Sequence, residues 1–102
     1  MIGKTYSVYI LFNKWNTVNY VGVTSDLVGR TWEHKNKSYP RSFTARYNIT
    51  KLVWYEDFYS PTEAIACEKM IKGWRREKKI NLVMETNPRF NDLSSEWEER
   101  GN

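Results

Sequence analysis

Two short segments rich in β-branched and aromatic residues limit what the first quarter of this chain can fold into. Ser7 to Phe12 and Val18 to Val23 each have the length and composition of a strand, and the polar stretch "NKWNT" separates them. Because a loop of about four to five residues suits an antiparallel connection, the two segments predict a β-hairpin. A third segment of the same kind, Lys51 to Phe58, predicts one more strand.

Helix signals follow directly after the hairpin. Thr24, Ser25 and Asp26 offer side-chain oxygens that can cap a helix running from about Leu27 to Lys37. The next segment, Ser38 to Asn48, is interrupted by proline and is expected to be a loop.

The second half of the chain holds the clearest helix start. Ser60 to Glu63 form a capping box with proline at the first helical position, and this helix is expected to end near Gly73. The run "RREKKINLVME" predicts a further helix, which Asn87 and Pro88 stop, and an irregular tail follows. Three strands and three helices in this order predict a single α+β domain over residues 1–102.

Charge is distributed unevenly along the chain. Residues 1–91 carry 15 basic and 8 acidic side chains, whereas the acidic tail from residue 92 to the end carries one basic and four acidic side chains. The segment from Lys35 to Lys51 has five cations and no acid. Its aromatic residues are Tyr39, Phe43 and Tyr47. Because phosphates attract cations and unpaired bases stack on aromatic rings, this segment indicates a nucleic-acid surface, and an ordinary solvated basic surface is the alternative.

Several classes of protein are disfavoured by composition. The single cysteine, Cys67, provides neither an intrachain disulfide nor a cysteine zinc site. The chain has no apolar run of about 18 residues and no long apolar leader. With a mean hydropathy of −0.73, these features predict a cytoplasmic protein that does not associate with membranes. No obligate protein partner is indicated.

One carboxylate borders an apolar stripe on the capped helix. The residues of the stripe recur at helical spacing and should face the core: Ala64, Cys67, Ile71 and Trp74. Glu68 lies beside them, and a carboxylate in that position is costly unless a cation, hydrogen bonds or a metal accompanies it. The simpler interpretation is an ordinary helical ion pair between Glu68 and Lys72.

A second pair of polar residues shares one face of the first predicted helix. Arg30 and His34 are four residues apart, and an arginine fork beside an imidazole suits an anionic phosphate group. The alternative is a histidine that is structural or simply exposed. The tyrosines of the hairpin, Tyr9 and Tyr20, are equally open to a packing role, because tyrosine is common in strands.

Several of these residues occur in a recognisable order. The motif "SVY" ends at Tyr9 and the motif "YVG" starts at Tyr20. Arg30 follows ten residues after Tyr20, and His34 follows four residues after that.

The second half of the chain continues this order. "EAIACE" ends at Glu68 and "NPRFN" ends at Asn91. The ordered set resembles the GIY-YIG nuclease superfamily, in its small stand-alone branch, over about Tyr6 to Trp97. Ser7 replaces the glycine of the first signature and Val21 the isoleucine of the second, and neither change removes a functional group.

The resemblance implies a fold and an activity. The fold is a three-stranded antiparallel sheet flanked by helices, in the order β-β-α-β-α-α. The activity is that of an endonuclease that hydrolyses DNA phosphodiester bonds with one Mg²⁺ or Mn²⁺. In this interpretation Glu68 is the protein ligand of the metal, which stabilises the leaving 3′ oxygen, and Arg30 holds a non-bridging oxygen of the phosphate.

The resemblance also implies roles for the other matching residues. A tyrosine, either Tyr9 or Tyr20, helps to deprotonate the attacking water, and Arg30 and the hydrated metal favour its phenolate form. His34 orients the water or relays its proton. Asn91 fixes the site by hydrogen bonding.

The substrate expected from these features is DNA, with RNA left open. The cations expected to contact its backbone are Lys35, Lys37, Arg41, Arg46, Lys51, Lys69, Lys72, Arg75 and Arg76. A role in DNA repair, recombination or processing follows from the resemblance. The alternative is a module that keeps the nuclease fold and binds nucleic acid without cutting it.

Overall fold

Three strands form one antiparallel sheet in this protein, whose structure is a computed structural model that describes the backbone of residues 4–100 and the side chains of residues 4–97. The strands are β1 (Tyr6–Asn13), β2 (Asn19–Thr24) and β3 (Ile49–Phe58). Their order is β2-β1-β3, so β1 is central and β2 is an edge strand. The α+β fold class and the antiparallel sheet are confirmed.

Five helices surround the sheet within the described part of the chain: α1 (Leu27–Lys35), α2 (Phe43–Arg46), α3 (Pro61–Lys72), α4 (Arg76–Thr86) and α5 (Ser95–Arg100). The three predicted helices correspond to α1, α3 and α4. The prediction of a continuous loop before β3 was wrong, because α2 lies within it. The prediction of an irregular tail was also wrong, because α5 lies there. None of the helices in the described residues is long and apolar enough to cross a membrane.

The two unpredicted helices are held by a local cap and by contacts with the sheet. The hydroxyl of Ser42 caps α2 by accepting from the backbone N–H of Ala45 at 3.2 Å. The segment before α5 is fixed to the sheet, because the N–H of Leu93 donates to the carbonyl of Leu52 at 2.8 Å. Such short helices have little intrinsic stability, so tertiary packing decides whether they form.

The central strand is buried on both of its faces. Val8, Ile10 and Phe12 point to the face where Ala64 and Ile71 of α3 complete the core. Successive side chains of a strand point to opposite faces, so the odd-numbered positions of β1 face the other way. The residues packed on that second face include Tyr9, Leu11, Tyr20, Leu27 and Trp97. The hairpin tyrosines and α3 therefore lie on opposite faces of the sheet, and their side chains can meet only around the β2 edge.

The C-terminal tail packs on the second face of the sheet, the face that includes Tyr9 and Leu11. Asp92 pairs with Lys35 at 2.5 Å, and its carboxylate also accepts from the N–H of Leu52 at 3.3 Å. The ring of Trp97 packs on Tyr55 with centroids 6.1 Å apart. The predicted acidic tail thus begins with a carboxylate that joins α1 to β3, whereas the acidic side chains after residue 97 lie outside the described residues.

Candidate active site

Three of the predicted site residues form an aromatic cluster under α1. The ring centroids are 6.2 Å apart for Tyr9 and Tyr20, 5.6 Å for Tyr20 and His34, and 5.9 Å for Tyr9 and His34. The hydroxyl oxygen of Tyr9 lies 3.1 Å from Nε2 of His34. Residues far apart in the sequence are therefore in direct contact where the helix covers the hairpin.

Burial separates the two signature tyrosines. Tyr9 has no exposed surface, whereas Tyr20 is partly exposed. Burial raises the pKa of Tyr9 above its ordinary value, and the nearby charge of Arg30 opposes this without reversing it. The expectation that the surroundings favour a phenolate therefore does not hold for Tyr9. Its hydroxyl keeps its proton at neutral pH.

His34 is neutral and is held at both ring nitrogens. Burial, and then the charge of Arg30, lower the pKa of His34 from 6.5 to about 4. Nδ1 lies 2.8 Å from the hydroxyl of Thr44, which is 3.3 Å from the hydroxyl of Ser42. The two hydroxyls, of Tyr9 and Thr44, therefore hold the imidazole from both sides. Sequence reasoning missed Thr44, although its position after a Ser42 helix cap was a usable signal.

Gly22 of the motif "YVG" provides the space that both phenols need. It lies opposite Tyr9 in the β1–β2 register. A Cβ atom at Gly22 would approach the hydroxyl of Tyr9 to 2.5 Å and a ring carbon of Tyr20 to 2.9 Å. The backbone of Gly22 does not have a positive φ, so the glycine is required for packing and not for conformation.

A cleft of about 220 Å³ opens beside the aromatic cluster, with Tyr20, Arg30 and His34 among its lining residues. The Nε of Arg30 pairs with the carboxylate of Glu33 at 3.2 Å, and the side chain of Arg30 is about half exposed. The side chain of Tyr9 also hydrogen-bonds with this guanidinium, which has five N–H donors, so its half-exposed fork can still donate to an anion. Of the two signature tyrosines, the one that borders the cleft is Tyr20.

Glu68 is a buried carboxylate with a cationic partner. It is 8% exposed, and its Oε2 lies 2.6 Å from Nζ of Lys72. The predicted helical ion pair is therefore present. The hydrogen bond to Glu68 is the main cause that raises the pKa of Lys72, and the charge of Tyr20 contributes in the same direction. Because α3 also packs against β2, the strand that carries Tyr20, Lys72 lies within electrostatic range of that phenol around the β2 edge.

A single carboxylate ligand, from Glu68, suits a hard cation that keeps most of its water. Among residues 4–97, no cluster of three or more His, Cys, Asp or Glu side chains could hold a metal ion. A magnesium or manganese site would therefore use the carboxylate of Glu68, water and an oxygen of the substrate phosphate, which are ligands that Mg²⁺ accepts. Lys72 occupies one oxygen of that carboxylate, so the ammonium and a metal ion compete for Glu68.

Asn91 does not line the cleft. Its side chain is exposed, and it borders a separate hollow beside Tyr55. The buried asparagine is Asn87, whose side-chain amide donates to the carbonyls of Val53 at 3.0 Å and of Asn91 at 2.9 Å. Asn87, which the sequence had marked only as a helix stop, thus connects Asn91 to β3, and the role expected of Asn91 stays a prediction.

The cations predicted to contact nucleic acid fall into two groups. Lys35 is mostly buried against Asp92, and Lys51 is half-buried with its ammonium 2.7 Å from the side-chain oxygen of Asn16. The others are exposed: Lys37, Arg41, Arg46, Lys69, Lys72, Arg75 and Arg76. Three of these also have partners in the protein, since Lys37 donates to Asn48, Lys72 pairs with Glu68 and Arg76 donates to the carbonyl of Thr17.

The lowered pKa of His34 gives a prediction for pH-dependent stability. His34 binds a proton near pH 6.5 in the unfolded chain and near pH 4 in the folded chain. The contribution of neutral His34 to the free energy of unfolding is therefore complete above about pH 6.5 and is lost as the pH falls toward 4. With allowance for the partial exposure of the ring, we expect a loss of about 1–2 kcal/mol in the free energy of unfolding. Urea unfolding between pH 7.5 and 4.5 measures it.

A direct titration checks the same prediction. His34 is the only histidine of the chain, so its ring protons give isolated NMR signals. We expect a midpoint near pH 4, and in His34→Gln the corresponding pH dependence of stability should disappear. A midpoint near 6.5 would contradict the burial and contacts described for the ring.

Comparisons with known proteins agree with this geometry. Residues 5–81 match the GIY-YIG catalytic domain. Among solved structures, the chain is similar to the UPF0213 protein BH0048 from Bacillus halodurans, determined by NMR in solution, with 27% sequence identity and a TM-score of 0.55. The similarity covers 89% of this chain and 96% of that protein. No curated protein matches the chain. With three quarters of its length matched, and with the signature tyrosines gathered beside Arg30 and His34, this chain belongs to the GIY-YIG catalytic-domain family, whose members have nuclease-type function.

Proposed function

We propose that this protein is a metal-dependent endonuclease that hydrolyses DNA phosphodiester bonds. The observation that supports this most is that Tyr20, Arg30 and His34 line one cleft, while α3, which carries Glu68 and Lys72, packs against the strand of Tyr20. Hydrolysis needs a group that handles the proton of the attacking water, a cation for the phosphoryl oxygens and charge stabilisation at the leaving oxygen. The cleft and its edge offer a side chain for each requirement.

Arg30 is the group that holds the phosphate. Glu33 binds its Nε and orients the guanidinium, so the terminal nitrogens can donate to a non-bridging oxygen. Preorganised donors of this kind stabilise the charge that grows in the transition state. Removal of the side chain in Arg30→Ala is expected to reduce the rate about 10²-fold.

Tyr20 is the phenol placed to accept a proton from the attacking water, because it borders the cleft while Tyr9 is fully buried. Tyr9 acts on the site indirectly, since its hydroxyl holds Nε2 of His34. We therefore assign Tyr9 as a positioning residue for His34. Thr44 holds the other nitrogen and fixes the tautomer of the ring.

A comparison of two matched variants tests this division of roles. We expect Tyr20→Phe to lower the single-turnover rate about 10²-fold, the typical scale for losing a proton acceptor, and Tyr9→Phe to lower it less. Tyr9→Phe should also shift the ring signals of His34 in NMR spectra, because it removes the hydrogen bond to Nε2. A larger loss of rate in Tyr9→Phe than in Tyr20→Phe would reverse the assignment.

Glu68 is the residue that would hold Mg²⁺ or Mn²⁺, and the bound cation would supply charge stabilisation for the leaving sugar oxygen. Lys72 compensates the carboxylate when no cation is bound, which is why the charge is tolerated at 8% exposure. The exposed cations Arg41, Arg46, Lys69 and Arg75 would attract the DNA backbone without reading its sequence. The activity would serve DNA repair, recombination or processing in the cytoplasm.

A nicking assay tests the proposal. Supercoiled plasmid is incubated with the protein and Mg²⁺ or Mn²⁺, in parallel with duplex, nicked, flapped and branched oligonucleotides. We expect cleavage that stops with a chelator and drops in Arg30→Ala, whereas Arg41→Ala, which removes an exposed cation that does not line the cleft, should weaken binding only slightly. Binding without cleavage of any substrate would instead support a non-catalytic nucleic-acid module.

A further inference from the structure

The cleft beside Tyr20 extends past the groups needed to hold a phosphate. Tyr39 and Phe43 also line it, and their side chains are 63% and 48% exposed. Hydrophobic rings of this size are normally packed in a core, and two of them around one polar cleft offer flat faces to a ligand. Phosphate handling by Arg30 does not account for them.

The ring of Phe43 is held in place from behind. The ring of Tyr47 packs against it at a tilt of 44° with centroids 4.8 Å apart, and the guanidinium of Arg46 lies 6.0 Å from the centre of the Tyr47 ring. A ring that neighbouring side chains already hold in one orientation loses little side-chain entropy on binding. Such a ring suits the stacking of a planar ligand. The cleft therefore has a preformed apolar wall on α2.

Polar groups lie at the edges of the same cleft. The hydroxyl of Ser42 and the ammonium of Lys37 line it, and Lys37 is oriented by its hydrogen bond to Asn48 at 2.5 Å. A volume of about 220 Å³ is below the roughly 300–1,000 Å³ of sites for drug-sized ligands, which limits the occupant to something close to one ring system. Aromatic faces with a few hydrogen-bonding groups at the rim are the features that proteins use for a single unstacked base.

We infer that this cleft binds the base of the nucleotide next to the scissile phosphate, turned out of the base stack and placed against Tyr39 and Phe43. The inference rests on the proposed function, because Arg30 and Tyr20, which line the same cleft, are the groups proposed to hold the phosphate and act on the attacking water. A base that is mismatched, bulged or already single-stranded costs least to turn out. The protein should therefore prefer DNA that has an unpaired base at the cutting position over intact duplex.

Binding measurements without metal test the inference apart from catalysis. The probes are a DNA duplex with one bulged base, the same duplex with an abasic nucleotide at the bulge, and the fully paired duplex. We expect the wild-type protein to bind the bulged base about tenfold more tightly than the abasic nucleotide, the scale of one base stacked on an aromatic side chain. Tyr39→Ala and Phe43→Ala should bind the duplex with the bulged base and the duplex with the abasic nucleotide equally tightly.

Tyr59→Ala is the matched control, since Tyr59 is a 75% exposed tyrosine that does not line the cleft. This variant should keep the wild-type preference for the bulged base over the abasic nucleotide. Equal wild-type affinity for the bulged base and the abasic nucleotide, or an unchanged preference in both cleft variants, would overturn the base site. Plasmid nicking by the wild-type protein separates this failure from failure of the proposed function. Nicking by a wild-type protein that shows no preference for the bulged base rejects the base site alone, whereas absence of nicking rejects the proposed function.

Discussion

Glu68→Gln is expected to remove nicking activity while leaving the fold intact. The change keeps the size of the side chain and removes its charge, so it removes the anionic oxygen that a divalent cation requires. Loss of several kcal/mol of charge stabilisation corresponds to a rate reduction on the order of 10³-fold or more. Because the partner ammonium of Lys72 is about half exposed, it can be solvated when the carboxylate is neutral.

Single-turnover nicking and thermal unfolding, measured on the same preparations, test this result. Glu63→Gln is the matched control, because Glu63 lies on the same helix and its side chain is exposed. The control should cleave at the wild-type rate, and all three proteins should unfold at similar temperatures. Wild-type activity in Glu68→Gln would contradict the assignment of Glu68 as the metal ligand.

Gly22→Ala is expected to reduce nicking activity nearly as much as Glu68→Gln, although glycine carries no reactive group. The added Cβ would collide with the buried hydroxyl of Tyr9 and with the ring of Tyr20, so both phenols must move. Overpacking of this kind costs about 1–3 kcal/mol of stability. A displacement of about 1 Å at a catalytic group can reduce the rate about 10²-fold, and here two phenols and the attached His34 are displaced together.

Gly73→Ala is the control for the effect of adding a methyl group to a glycine. The nearest atom to a Cβ at Gly73 is the carbonyl oxygen of Met70 at 3.5 Å, which is an ordinary contact. Gly73 caps α3 with φ −79°, a conformation open to any residue, so the predicted cap is at the right position but does not depend on glycine. We expect wild-type nicking for Gly73→Ala. Equal activity in Gly22→Ala would show that the phenols do not need their present positions.

Most of the secondary structure could be predicted because its signals are local. The strands are set by their β-branched and aromatic residues, and α3 by the cap at Ser60, whose hydroxyl accepts from the N–H of Glu63 at 3.3 Å. The apolar spacing on α3 also identified Ala64 and Ile71, which are 0% and 1% exposed. The four-residue helix α2 is too short to be predicted from its Ser42 cap alone, and α5 follows a segment that is fixed by contacts with β3 and α1.

The contact between three of the candidate site residues was predictable, but their different burial was not. The order of motifs named Tyr9, Tyr20 and His34 together, and the structure brings them into contact. Their different burial depends on the strand register and on how α1 covers the sheet, which no spacing in the sequence specifies. The same limit explains why Lys35 was expected to face DNA, although it pairs with Asp92, a residue 57 positions later in the chain.

The central claim is that Glu68 and the cleft belong to one site although they come from opposite faces of the sheet. The most direct test is an NMR titration with substoichiometric Mn²⁺ in the presence of a non-hydrolysable DNA oligonucleotide, because this paramagnetic ion broadens signals near its binding site. We predict selective broadening of the side-chain signals of Tyr20, Arg30 and His34, and its loss in Glu68→Gln. Sharp signals for these residues, or the same broadening in Glu68→Gln, would contradict the account.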